Sequence, residues 1–268
     1  MNCRAETSRP AVAQCNAAHG DDDVVQRYAA SPESWPVSTP LMLTLNYLAR
    51  GPLKPPRACP PLLLLLHGVG GNEEGLFKYA ERFDPRFVVL SVRAPYALGP
   101  ARYRWFDVEF TAHGPINNPQ LAEQSRQLFV QFINDAVMAF GCDPRQVYLF
   151  GFSQGATLAY SVLLSAPQKL RGGALIAGRV LPEVAPLAAP SAALAHLTLL
   201  IQHGRNDPVV PFGRGLAARD LFIELGVAVG FREYPAAHEV TLEMMDEAIE
   251  FCGVQIERTV PKPRLKLV

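Results

Sequence analysis

The chain reads as an α/β fold with a mainly parallel central sheet and helices on both of its faces. Short apolar runs of strand length alternate with helix-length segments along most of the 268 residues, the pattern of a sheet whose strands are covered on both sides. A run of five leucines, Leu62–Leu66, bounded by prolines and by His67-Gly68, marks a central strand. Gly151-Phe152-Ser153-Gln154-Gly155 follows directly on another apolar run and sets a serine on a sharp strand-to-helix turn.

Taken in order, residues 1–36 hold Asp21-Asp22-Asp23, several Ala, Ser and Pro, and no apolar segment of signal-peptide type. They are expected to form a flexible leader, not a secretory signal or membrane anchor. Leu41 to Leu48 is a candidate first strand, and Pro52 to Pro61 is a proline-rich connector. After the leucine strand, further strands are expected at Phe87 to Val92, Val147 to Phe152, Gly173 to Ala177, Leu197 to Gln202 and Val227 to Tyr234. Helices are expected at Gln120 to Phe140, Gln154 to Ser165, Gly215 to Leu225 and Val240 to Phe251. Residues 95–119 show no clear periodicity and read as a long loop that serves as a lid or binding wall. One domain over residues 37–255 and a solvated tail over 256–268, with Lys262, Arg264 and Lys266 among its prolines, complete the organisation.

Composition narrows the function. Twenty-five basic and twenty-five acidic side chains balance, so no global field attracts nucleic acid or an anionic membrane, and neither is expected as a partner. The five cysteines, Cys3, Cys15, Cys59, Cys142 and Cys252, are odd in number, scattered, and free of C-x-x-C pairing. They suit free thiols in a reducing compartment, which places the protein in the cytoplasm. A homodimer and a monomer are both compatible with the sequence.

The chemistry converges on Ser153. Gly151 and Gly155, two before and two after it, satisfy the need for small residues where the elbow crowds its neighbours. A serine is a weak nucleophile at neutral pH without a base in reach and an acid to orient that base. In elbow enzymes these follow in the order serine, acid, histidine. His19, His67 and His113 precede Ser153, and His196 and His203 precede the best acid, so His238, on the loop after the last strand, is the base. That acid is Asp207, on the turn after the Leu197 strand; Asp220 and Asp246 satisfy the order but sit in helix-like segments. The glycine loop His67-Gly68-Val69-Gly70-Gly71-Asn72 follows the leucine strand, so the backbone N–H groups of Val69 and Gln154 are the candidate oxyanion hole. A nucleotide cradle is the rival for that loop, but Glu73 replaces the third glycine of G-x-G-x-x-G and no Gly-Lys-Ser/Thr follows.

His67-Gly-Val-Gly-Gly-Asn72, Trp105-Phe106-Asp107, Gly151-Phe-Ser-Gln-Gly155, Gly204-Arg-Asn-Asp-Pro208 and His238-Glu239, spread in order over residues 40–253, resemble the phospholipase/carboxylesterase family of acyl-protein thioesterases and small serine esterases. The resemblance implies an α/β-hydrolase fold, no metal or organic cofactor, and hydrolysis of carboxylic esters or thioesters through an acyl-enzyme. It gives Ser153, Asp207 and His238 the same roles. Two positions depart from the commoner pattern: Ala237 replaces the usual glycine before the histidine, and Gly178-Arg179 stands where many members carry a serine-glycine pair.

Trp105 and Phe106 are candidates to line an acyl pocket or, equally, to pack beneath a loop; Arg102 and Arg104 are candidates to meet an acidic headgroup or plain solvated charges. An amidase on the same triad and a non-catalytic small-molecule-binding scaffold on the same fold are the rival functions.

Overall fold

A computed structural model describes residues 42–54, 59–111 and 114–259, so the expected leader and most of the tail lie outside the described residues. In chain order the elements are β1 (Tyr47–Arg50), β2 (Leu62–Leu66), α1 (Glu73–Phe77), β3 (Val88–Val92), β4 (Tyr96–Gly99), β5 (Arg102–Arg104), β6 (Val108–Thr111), β7 (Gly114–Asn117) and α2 (Pro119–Ala139). The second half adds β8 (Val147–Phe152), α3 (Gln154–Ser165), β9 (Gly172–Ile176), α4 (Ser191–Leu194), β10 (Thr198–Gly204), α5 (Gly213–Glu224), β11 (Ala228–Tyr234) and α6 (Leu242–Thr259). Seven strands form one sheet in the order β1-β3-β2-β8-β9-β10-β11, with every neighbour parallel except the β1–β3 pair.

The leucine strand shows why the sheet has helices on both faces. Side chains alternate across a strand, so Leu62, Leu64 and Leu66 enter one apolar cluster and Leu63 and Leu65 the other, all fully buried. The first cluster includes Phe129 and Phe132 of α2, Tyr160 of α3 and Phe222 of α5; the second includes Met244, Met245 and Cys252 of α6. Burial on this scale stabilises by about 1.5–3 kcal/mol per leucine side chain, an upper figure given a partly collapsed unfolded chain. Leucine's modest strand preference is overridden by that packing.

Helix ends follow local chemistry. Asn118 caps α2, its Oδ1 accepting the N–H groups of Gln120 and Leu121, with Pro119 in the first turn where no N–H is needed. Thr241 Oγ1 accepts the Met244 N–H and starts α6 two residues later than the apolar pattern suggests. The helix then runs to Thr259, past residue 255 and into the stretch expected as tail.

Two expectations are corrected. The first strand is Tyr47–Arg50, not Leu41 to Leu48, because pairing with β3 sets its register and the guanidinium of Arg50 anchors its end. Arg50 is buried and donates to the carbonyls of Gly51, Ala80, Phe83, Asp84 and Phe87. Burial lowers its pKa to about 10, with Asp84 and Glu81 opposing. A charged residue in that position masks the strand. The second correction concerns residues 95–119, which form two antiparallel hairpins, β4–β5 and β6–β7, instead of a structureless loop. Such short ribbons bury too little of either face to leave a period in the sequence.

Candidate active site

Ser153 sits between β8 and α3 with φ 55 and ψ −116, a backbone that L-residues adopt only when the surroundings enforce it. The elbow leaves no room beside it: a Cβ on Gly151 would stand 2.8 Å from the backbone of Ala156, and one on Gly155 would stand 2.2 Å from the Leu66 carbonyl oxygen. The Ser153 N–H donates to Ile176 O at 2.9 Å, fastening the turn to the neighbouring strand.

Three side chains from separate loops meet there. His238 Nε2 is 2.8 Å from Ser153 Oγ, and His238 Nδ1 is 2.7 Å from Asp207 Oδ2. An ionised carboxylate only accepts, so Nδ1 carries the proton and Nε2 offers its lone pair to the serine hydroxyl. The Phe152 ring lies 5.1 Å from the imidazole, centroid to centroid, and packs against it. Asp207 Oδ1 accepts the N–H groups of Val209 and Val210 at 2.9 and 2.8 Å. Burial pushes the Asp207 pKa up, but His203, His238 and the Val210 N–H together hold it far below the usual carboxylate range. The rival acids are elsewhere: Asp220 pairs with Arg219 and Asp246 with Arg82, all on the surface.

Val69 and Gln154 line the same small cavity as Ser153, and neither backbone N–H makes a backbone hydrogen bond among the described residues. The loop carrying Val69 is braced on several sides. His67 Nδ1 donates to Gly68 O at 2.8 Å, and its Nε2 accepts the Ala94 N–H at 3.1 Å. Burial lowers the His67 pKa, against the Gly68 carbonyl and Glu73, and keeps the ring neutral. Strand β5 completes the brace through Gly70 N–H to Tyr103 O and Tyr103 N–H to Gly71 O, at 2.8 and 2.9 Å.

The aromatic pair divides. Phe106 lines the cavity beside Ser153. Trp105 does not: it is fully buried against Phe129 and His67, with its Nε1 donating to His67 O at 2.9 Å. Of the two roles open to Trp105, the pocket wall is corrected and packing beneath the loop is the one it takes, because an indole with its N–H satisfied packs in the core. The Gln154 side chain, overlooked in the sequence, holds this segment, accepting the Trp105 N–H and donating to Phe106 O, both at 2.8 Å. Arg102 and Arg104 both line an open groove of about 530 Å³ beyond Val69, and Arg104 pairs there with Asp107. Thr157, Arg179, Val209 and Val210 also line the Ser153 cavity. For Thr157, Val209 and Val210 the only sequence signal is nearness to a strand end or to the elbow, whereas Arg179 stands out as half of the Gly178-Arg179 departure from the commoner family pattern. Among the described residues no group of His, Cys, Asp and Glu is placed to hold a metal ion, and no helix is long and apolar enough to cross a membrane.

A seven-stranded, mainly parallel sheet with an elbow serine at the carboxyl end of a central strand defines an α/β-hydrolase. The chain belongs to the phospholipase/carboxylesterase family, whose model matches residues 54–256. It is similar to the carboxylesterase SOBER1 of Arabidopsis thaliana, 32% identical over 188 residues that cover 65% of this chain and 80% of the relative. Acyl-protein thioesterase 1 of Gibberella zeae is 25% identical over 72% of this chain and 90% of its own length. The solved carboxylesterase of Bacillus cereus superposes with a TM-score of 0.67 at 25% identity, over 79% of this chain and 94% of that one. The protein is a hydrolase acting on ester bonds.

Proposed function

We propose that the protein is a serine carboxylesterase or thioesterase that works through an acyl-enzyme, with Ser153 as nucleophile, His238 as base and Asp207 as its orienting acid. The observation that carries this reading is the continuous contact from Ser153 Oγ through the two nitrogens of His238 to Asp207, at 2.8 and 2.7 Å. Ser153 attacks the ester carbonyl while His238 takes its proton, and the developing oxyanion accepts the N–H groups of Val69 and Gln154. His238 returns the proton to the leaving alcohol or thiol. Water then attacks the acyl-enzyme by the same route and frees the acid.

The small cavity beside Ser153 takes the acyl part, with Phe106 as one wall. Cys59, Cys142 and Cys252, which form no disulfide among the described residues, suit the reducing cytoplasm in which we place the protein.

Hydrolysis of p-nitrophenyl esters from two to twelve carbons, wild type beside Ser153→Ala, tests the reading. The variant is expected to lose at least about a thousandfold in kcat/KM and all labelling by a fluorophosphonate. Equal activity in both proteins would remove Ser153 from the mechanism. Absent activity and absent labelling in the wild type would favour a binding scaffold.

A further inference from the structure

The cavity at Ser153 also holds a guanidinium. Arg179 follows shortly after β9 and lines this cavity with Thr157 and Val210, and the residue is only 8% exposed. Its Nη2 donates to Asn117 Oδ1 at 2.5 Å, the single side-chain hydrogen bond it makes among the described residues, and no carboxylate there forms an ion pair with it. Its backbone N–H donates to Thr157 Oγ1 at 3.3 Å. Glu183 acts on it at one remove, since Asn117 Nδ2 donates to Glu183 Oε1 at 2.5 Å.

A guanidinium has five N–H donors and does not give up its charge. Taken out of water, such a charge is costly unless paired. Burial lowers the Arg179 pKa and the second cation Arg214 lowers it further, with Glu183 opposing. Two guanidiniums thus stand against one carboxylate in its immediate surroundings, and Arg179 lines the same cavity as the nucleophile. An anion brought by the substrate would supply the missing partner.

Which end of the substrate carries that anion follows from the two spaces that share Val69. The Ser153 cavity is tight, with about 30 Å³ of free space, whereas the groove beyond Val69 is open, at about 530 Å³. In acyl transfer the acyl group stays on the serine through the second step while the alcohol departs after the first. The tight cavity suits the group that stays, and the open groove suits the group that leaves.

We propose that Arg179 selects short acyl groups ending in a carboxylate, so that the preferred substrates are half-esters or half-thioesters of small dicarboxylic acids. The inference rests on the serine-esterase reading above. The terminal carboxylate accepts N–H groups of the guanidinium, in the paired geometry that arginine favours, while Ser153 Oγ bonds to the ester carbon. The ester C–O bond then breaks, the alcohol leaves with the proton carried by His238, and water releases the free diacid and restores the serine. No reactant other than water is needed.

The competing role for Arg179 is purely structural, tying β7 to the Glu183 segment through Asn117. Hydrolysis of matched ethyl esters by the full chain, followed by pH-stat titration, separates the two. Monoethyl succinate is compared with ethyl butyrate, and acetoxyacetate, which carries its carboxylate on the alcohol side, with ethyl acetate. Wild type is expected to favour monoethyl succinate over ethyl butyrate by about tenfold or more in kcat/KM. Arg179→Gln collapses that ratio towards one, Arg179→Lys keeps part of it, and Asn117→Ala, which cuts the tether and spares the charge, retains it. Free succinate inhibits ethyl butyrate hydrolysis competitively, about tenfold more weakly in Arg179→Gln.

A structural role would instead lower both rates together and leave the ratio alone, which overturns the inference. So does a wild-type ratio at or below one, or a preference that follows the carboxylate on the alcohol side. If Arg179→Gln does not fold, the wild-type ratio, succinate inhibition and Arg179→Lys decide the matter. Ethyl butyrate hydrolysis that depends on Ser153 without any anionic preference sinks the role of Arg179 and leaves the esterase standing. No hydrolysis of any ester and no fluorophosphonate labelling sinks both.

Discussion

The loops after β8, β10 and β11 and the two hairpins β4–β5 and β6–β7 both shape the space around Ser153, yet they are held in different ways. The loops leave a seven-stranded sheet whose central strands are wholly buried on both faces. The hairpins are separate two-stranded ribbons, and the segment that carries them is tied to the body by hydrogen bonds with His67, Gly70, Gly71, Asn72, Gln124, Ser125, Gln154 and Arg179. Rigid strand ends position the chemistry, where a displacement of an ångström is costly. Ribbons held by side-chain and loop contacts, outside the main sheet, shape the wall, where the fold tolerates change without losing the reaction.

The largest effect should come from the rigid side. Asp207→Asn keeps the size of the side chain but removes the carboxylate that fixes the His238 tautomer, and should lower kcat by about a thousandfold to ten-thousandfold. Steady-state rates beside a thermal melt check this; an activity loss below tenfold in a folded variant would place the acid elsewhere.

Next come the aromatic neighbours at the root of the wall. Trp105→Ala should cost about 3–5 kcal/mol of stability and leave the ester chain-length optimum where it is, whereas Phe106→Ala should move the optimum to longer acyl chains. Denaturant unfolding and the p-nitrophenyl ester series read the two outcomes. A shifted optimum in Trp105→Ala would return that residue to the wall.

Cutting the link between the regions should have a smaller effect. Gln154→Ala leaves the Trp105 N–H and Phe106 O without their buried partner, a loss of about 1–3 kcal/mol, while the Gln154 backbone N–H is retained. Activity should fall less than in Asp207→Asn, and hydrogen exchange at residues 105–106 should speed up.

The smallest effect is a pH dependence of stability. His67 has a folded pKa below its unfolded value of about 6.5, so below that pH the unfolded chain takes up a proton that the folded chain refuses. Stability should therefore hold above about pH 6.5 and decline as the pH falls below it. The depressed Asp207 pKa has the same sign at lower pH: its contribution is present above about pH 3.9 and fades as the pH falls beneath. Denaturant midpoints at pH 7.5 and 5.5, with His67→Gln as the variant with the flatter profile, measure the first window.

The same contrast explains what could be read from the chain. Strands β2 and β8 are visible because double burial forces uninterrupted apolar runs, and α3 because the elbow glycines announce its start. Ser153, Asp207 and His238 are readable from the order in which residues follow strands, and the structure brings them together. Strand β1 is hidden in the sequence because Arg50 breaks its apolar pattern while five carbonyls hold its charge. The hairpins leave no sequence pattern because their pairing is short and their faces are mixed.

Trp105 and Arg179 mark the boundary. An indole and an apolar wall look alike in sequence, and a buried guanidinium looks like a solvated one. The α/β sheet, the elbow and the chain order of serine, acid and histidine are legible in the residues alone, because these depend on local spacing and on apolar runs that burial imposes. Which aromatic ring reaches the cavity, and that a buried guanidinium without an ion pair among the described residues lines it, emerge from the folded chain alone, because each depends on partners contributed by distant segments.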